Sequence, residues 1–429
     1  MTAHNGMLSI PGSHNIRREV LENGIVVLVY ENFAAQSVVI SGSLRAGSQF
    51  ETAEKNGLAA MTASALLRGT AGYDFDTINE KLEYAAADLD FSGGVHRTSF
   101  SGKSLAEDLP LLIELLAEAV RYPTFPDAHL DLLRGEVMTS LHIRQQDTRY
   151  RANRAFYEAL YPPEHPYHHS TRGTLETVPM LTVSDLKAFH ERHYGPAGMI
   201  IVVVGAIKAD DAIRTVRDYL GDWTNADQPD LPPVPSVTPL AETQRAFVGL
   251  PGKTQSDIVM GTIGPSRFDA DFLAAQLANS VLGQFGMMGR IGHSVRETLG
   301  LAYYAYSSVD GGYTASPWSI TAGVNPANVD LAIARINDEI DRLVTQPISA
   351  EELEDNQSYF TGRVPLQLET NEGIAGSILN MEIYRLGLDY LINYRDTIYR
   401  LTEADILAAA QKYLTSDRVV IAVAGPDKK

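Results

Sequence analysis

LTVSDLKAFHERHYGPAGMIIVVVG, residues 181–205, and LTEADILAAAQKYLTSDRVVIAVAG, residues 401–425, carry one pattern twice, 220 positions apart. Each opens on a threonine with an aspartate three residues on, Thr182 with Asp185 and Thr402 with Asp405. At that spacing the hydroxyl and the carboxylate satisfy the unpaired amides of a helix start. A short helical pattern follows, then an apolar run closed by glycine, Met199 to Gly205 and Val419 to Gly425. A period this long means a duplicated domain and not a solenoid of small repeats. The first helices repeat as well: Leu58-Ala59-Ala60 and Leu67 recur 215 positions later as Leu273-Ala274-Ala275 and Leu282.

Working outward, Asn23-Gly24 before the apolar run Ile25 to Tyr30 reads as a hairpin turn, and Ser37 to Leu44 as the next strand. Gly57 to Arg68 reads as a small-residue helix and Phe91 to Gly102 as another strand. Leu109, Leu112, Leu116 and Val120 form the stripe of a helix that Pro123 and Pro126 break, and Leu130, Leu133, Val137 and Leu141 mark the next. Pro229, Pro232, Pro233, Pro235 and Pro239 then favour an extended, semi-rigid strap. The expected organisation is an N-terminal domain over 1–227, a proline-rich linker over 228–243 and a C-terminal domain over 244–429. The second half repeats the order, with strands at Ala246 to Leu250 and Ile258 to Ile263 and a helix from Asp269 to Leu282. A tyrosine-rich strand, Leu301 to Ser308, and a helix with Val329, Ile333, Ile336, Ile340 and Leu343 on one face follow. Strands before helices in each half predict an α+β protein of two homologous domains, each a mainly antiparallel sheet with helices on one face.

The chain has 429 residues and a formal net charge of −18, whose field repels nucleic acid and anionic membrane surfaces. The charge names no substrate, since solubility alone accounts for it. No cysteine is present, which excludes disulfides, thiolate metal sites and a thiol nucleophile and leaves the compartment open. No apolar run approaches the roughly 20 residues of a membrane span, and Met1 to Ile16 holds no signal-like apolar core. The reading expects a soluble protein, cytoplasmic or, after removal of a presequence, periplasmic.

Five collinear segments carry a resemblance: Asn23-Gly24, Arg45-Ala46-Gly47-Ser48, Asn56-Gly57-Leu58-Ala59, Leu67-Arg68-Gly69-Thr70, and Arg296-Glu297 with Gly300-Leu301-Ala302-Tyr303. With His165-Pro166-Tyr167 they make the chain, from about Arg17 onward, resemble the pitrilysin/insulinase-type metallopeptidases, in the processing-peptidase-like branch. In that family the helix after Gly-Leu-Ala carries HxxEH, two zinc-binding histidines with a glutamate base between them. Here the same positions read Ala60-Met61-Thr62-Ala63-Ser64. The resemblance would put a third ligand, a glutamate, at about Leu141, where no carboxylate stands; Glu136 is the nearest. The reading therefore implies no metal in this chain and zinc in an HxxEH-bearing partner subunit.

What the resemblance retains lies in the second half. Arg296 and Tyr303, seven apart, match an Arg/Tyr pair that the family presents toward the metal. A guanidinium and a phenol can hold a scissile carbonyl and its developing oxyanion, and one such donor is worth about 3–4 kcal/mol in the transition state. The bland alternative makes Arg296 a surface helix end and Tyr303 one of three strand tyrosines, on the face opposite Tyr304 and Tyr306. Gly283, Gly286 and Gly289 lie in a stretch from Leu282 to Arg290 read as a loop, either a substrate-handling loop or a plain helix terminator. His190 with His193 reads as a helix end, and His165, His168 and His169 as a structural segment. The expected function is the metal-free subunit of a heterodimeric zinc peptidase acting on peptides; a scaffold or peptide-binding protein of the same fold is the alternative.

Overall fold

The computed structural model describes residues 10–427, the side chains of Met287 and Met288 excepted. Two compact units emerge, and each is discontinuous in sequence. The first comprises Met1–Ser140, Ser170–Pro233 and Val364–Tyr394; the second comprises Leu141–His169, Val234–Arg363 and Arg395–Lys429. The chain passes into the second unit for the last part of the strap at Pro233 and Val234, and residues 141–169 and 364–394 are each drawn from the other half of the sequence.

The first unit is built on six strands: β1 (Ile16–Val20), β2 (Val26–Glu31), β3 (Ser37–Leu44), β4 (Asp88–Gly93), β5 (Thr98–Leu105) and β6 (Ile200–Gly205), in the order β1-β2-β6-β3-β5-β4. The second holds β7 (Gln244–Gly249), β8 (Ser256–Ile263), β9 (Ala302–Val309), β10 (Pro317–Val324) and β11 (Val420–Gly425), in the order β7-β11-β8-β10-β9. The duplicated strands hold the same place in both sheets. β6 runs parallel to β2 and antiparallel to β3, and β11 runs parallel to β7 and antiparallel to β8. Both threonine–aspartate pairs form complete capping boxes, with the Thr182 and Thr402 amides each 2.9 Å from the Asp185 and Asp405 carboxylates. The α+β reading holds in each unit.

Two strand expectations need correction. Residues 91–102 are not one strand but a hairpin, β4 and β5, with Phe91 opposite Phe100 and a turn closed by the Gly94 amide on the Arg97 carbonyl at 2.9 Å. β10, which pairs with both β8 and β9, was not expected, although Trp318, Ile320, Ala322 and Val324 alternate with Ser319, Thr321 and Gly323 along it.

Strands β2 and β6 read as continuous apolar runs because both faces of the sheet are covered. Leu28, Tyr30, Val39, Ile200, Val202 and Val204 meet helix Asn371–Ile383 through Ile374, Ile378 and Leu379. The alternate residues Val27, Val29, Ile40, Ile201 and Val203 are fully buried on the opposite side, where helices Leu109–Arg121 and Ala209–Leu220 pack. In the second unit helix Thr148–Leu160 plays the part of Asn371–Ile383, setting Ala152, Phe156 and Leu160 against Val259, Val420 and Ala422. One helix of each unit thus comes from the opposite half of the sequence.

Candidate functional site

Helix Leu58–Ala65 forms as expected and starts on a built cap. Gly57 adopts φ +98°, and the Glu51 carboxylate accepts from the amides of Gly57 at 2.9 Å and Ala59 at 2.5 Å and from the Asn56 side chain at 3.2 Å. Burial pushes the Glu51 carboxyl up to about 7, against the pull of these donors. The positions that would hold a metal do not fit one. Ala60 and Ser64 share an edge of the helix but offer a methyl and a neutral hydroxyl, and Ala63 is buried. Leu141 is a core residue, and Glu136 lies 3.6 Å from the Arg68 guanidinium. Among the described residues no three His, Asp or Glu side chains converge.

The second unit presents Arg296 and Tyr303 through three departures from regular backbone. Arg296 lies in a π-helical segment, Gly292–Thr298, anchored inward by fully buried Val295. Single π turns are rare and frequent at functional sites. Two residues beyond the segment, Gly300 adopts φ +58° and its amide reaches the Arg296 carbonyl at 3.0 Å. The register of β9 on β10 then slips: Gly323 faces Tyr304 and Val324 faces Ala302, which leaves Tyr303 as the extra residue of a bulge. A bulge re-aims its side chain, and Tyr303 is 81% exposed on a strand whose neighbours Ala302 and Tyr304 are buried. Among the described residues neither Arg296 nor Tyr303 has a side-chain hydrogen bond, ion pair or ring contact. Nearby, His293 pairs with Glu297 at 3.0 Å.

The glycine-bearing stretch is not the expected loop. Helix Phe272–Gly283 breaks only at Gln284, and a short helix, Phe285–Ile291, leads straight into the π-helical segment. Gly283 is a packing residue, since a Cβ there would sit 2.4 Å from the Ser307 amide. Gly289 (φ +63°) touches the Val281 carbonyl in the same way, at 2.6 Å, whereas Gly286 (φ +58°) faces open space. Arg290 ties the segment to helix Ala350–Gln367 by a bidentate pair with Glu352, both contacts 2.7 Å.

Sequence reasoning missed a polar cluster beside Tyr303. Tyr304 donates its hydroxyl to Asp257, which is 2% exposed, and accepts from Arg149 Nε at 2.9 Å. Thr148 donates to the other Asp257 oxygen. Burial and the adjoining carboxylate push the Tyr304 phenol well above its ordinary range, so it stays a donor. A signal existed: an aspartate opening the apolar run that follows it, Ile258 to Met260. The histidines are structural. His190 Nε2 lies 2.8 Å from the Val120 carbonyl, His193 stacks on Phe50 at 4.4 Å, and His165 stacks on Tyr161 at 4.4 Å.

The two sheets and their duplicated order define an α+β protein of two homologous domains. The family pattern "Insulinase (Peptidase family M16)" matches residues 26–166, and "Peptidase M16 inactive domain" matches residues 180–359. The chain belongs to the insulinase family, peptidase family M16, as a member without the HxxEH residues. It is 24% identical over 429 residues to an uncharacterized zinc protease of Streptomyces coelicolor, spanning 98% of this chain and 92% of that protein. It is 23% identical over 273 residues to subunit 1 of the mitochondrial cytochrome b-c1 complex of Rattus norvegicus, spanning 62% and 55%. A peptidase M16 inactive domain from Pseudomonas fluorescens superposes with a TM-score of 0.90 at 25% identity, over 96% of this chain and 98% of that one. No helix among the described residues is long and apolar enough to cross a membrane.

Proposed function

We propose that this chain is the metal-free subunit of a two-subunit zinc peptidase. Its partner would be a homologous HxxEH-bearing chain that supplies the zinc, and the zinc would activate the attacking water. Arg296 and Tyr303 of this chain would bind the scissile carbonyl of the peptide and favour the oxyanion as it forms. The observation that carries the reading is their presentation. Both stand free of internal partners on irregular backbone, while the helix that would hold the metal has none of its donors. Of the three glycines, only Gly286 is free of internal packing, so it is the one that would contact peptide.

The test is reconstitution with an HxxEH-bearing homologous chain as partner. Arg296→Ala or Tyr303→Phe should each lower kcat on a fluorogenic peptide about 100-fold. Full activity in both variants rejects the role. A scaffold is the second reading, supported by the likeness to subunit 1 of the mitochondrial cytochrome b-c1 complex. It predicts stable assembly with a partner, and no cleavage by the assembled pair.

A further inference from the structure

Tyr303 owes its exposure to a one-residue slip of an edge strand, and nothing in an edge strand by itself holds a bulge at one position. The next residue is tied down. Tyr304 is buried, its hydroxyl bonded to Asp257 on β8, two strands away across β10. Arg149, in the first turn of helix Thr148–Leu160, bonds the same hydroxyl at 2.9 Å and lies over the ring at 4.1 Å from its centroid. Thr148 and Gln255 complete the Asp257 shell, the latter at 3.3 Å. Room for the ring comes from Gly323, where a Cβ would stand 2.5 Å from Tyr304 Cε1.

We infer that Tyr304, Asp257 and Arg149 form a clamp that fixes the β9 bulge and so positions Tyr303. The inference rests on the proposed role of Tyr303, but the clamp itself is a property of the isolated chain. A tyrosine with a phenol donor, an acceptor buried on a central strand and a cation on a packed helix specify one register. With Phe at 304 the ring still fills its place, but the strand is free to pair in register and turn residue 303 toward its neighbours. Tyr304, Asp257 and Arg149 thus act through Tyr303, as positioning residues.

Two readouts test it on the full chain. Hydrogen exchange of amides 302–306 should quicken at least tenfold in Tyr304→Phe and in Asp257→Asn, with the other strands unchanged. Arg149→Met, on the surface, is a third variant should the buried ones fold poorly. Exchange within twofold of wild type in every folded variant overturns the clamp. In the reconstituted enzyme, Tyr304→Phe should lower kcat about tenfold with KM within twofold, and should add nothing in a Tyr303→Phe background. Multiplicative losses in the double variant overturn the positioning role. If Tyr303→Phe leaves kcat unchanged, the proposed role of Tyr303 fails while the exchange data still decide the clamp.

Discussion

Protonation of helix Val183–His193 should weaken the first unit in mild acid. His190 and His193 are 9% and 8% exposed, and burial holds both down to about 4. His190 is set among Val120, Phe125 and Tyr194, and His193 between Phe50 and Phe189. An unfolded histidine titrates near 6.5, so below that pH the unfolded chain binds protons that the folded one refuses, and stability falls as pH falls. Each group costs about 3.4 kcal/mol once pH is below both values, and about 1.2 kcal/mol between about pH 7 and 5.5. Glu51 works in the opposite sense, since its folded value near 7 lies above the unfolded one and its protonation offsets about 1.6 kcal/mol over that interval. The net acid loss is therefore shallow, and the informative quantity is a difference between variants. In His190→Gln/His193→Phe the pH-dependent term from the pair, about 2.5 kcal/mol, should vanish. Urea unfolding at both pH values measures it, with Trp223 as reporter for the first unit and Trp318 in the second. If the double variant loses as much stability as wild type on acidification, the two rings are not the neutral, buried groups described above.

Two further outcomes follow from the repeat and from the glycines. Thr182→Ala and Thr402→Ala should each cost about 1 kcal/mol in their own unit, because each hydroxyl caps an equivalent helix; unequal effects beyond twofold would argue against equivalence. Gly289→Ala should destabilise by about 3 kcal/mol, since it adds a backbone clash to a left-handed φ, whereas Gly286→Ala should cost only about 1 kcal/mol of backbone strain. Equal melting temperatures for the two alanine variants would contradict the packing described for Gly289.

Much of the fold was legible because its signals are local. The capping boxes need four consecutive residues, and the hairpin between β1 and β2 needs Asn23-Gly24 and the apolar run after it, with Gly24 at φ +90°. The errors arose where local chemistry is ambiguous. Gly93-Gly94 sits in a stretch apolar enough to pass for strand, and the glycines of residues 283–289 suit a loop as well as a tightly packed helix junction. The exchange of helices Thr148–Leu160 and Asn371–Ile383 between halves left no trace in composition, because an amphipathic face shows that it is buried but not against which sheet.

What residue identity alone determined is the duplication and the absence of the metal donors: the methyl of Ala60 cannot coordinate a cation in any fold, and the neutral hydroxyl of Ser64 is a poor zinc ligand. Whether Arg296 and Tyr303 are presented or packed was a tertiary matter. Strand register, the π turn and the Asp257 anchor depend on partners tens to more than a hundred positions away, and a slip of one residue decides which side of a sheet a tyrosine occupies.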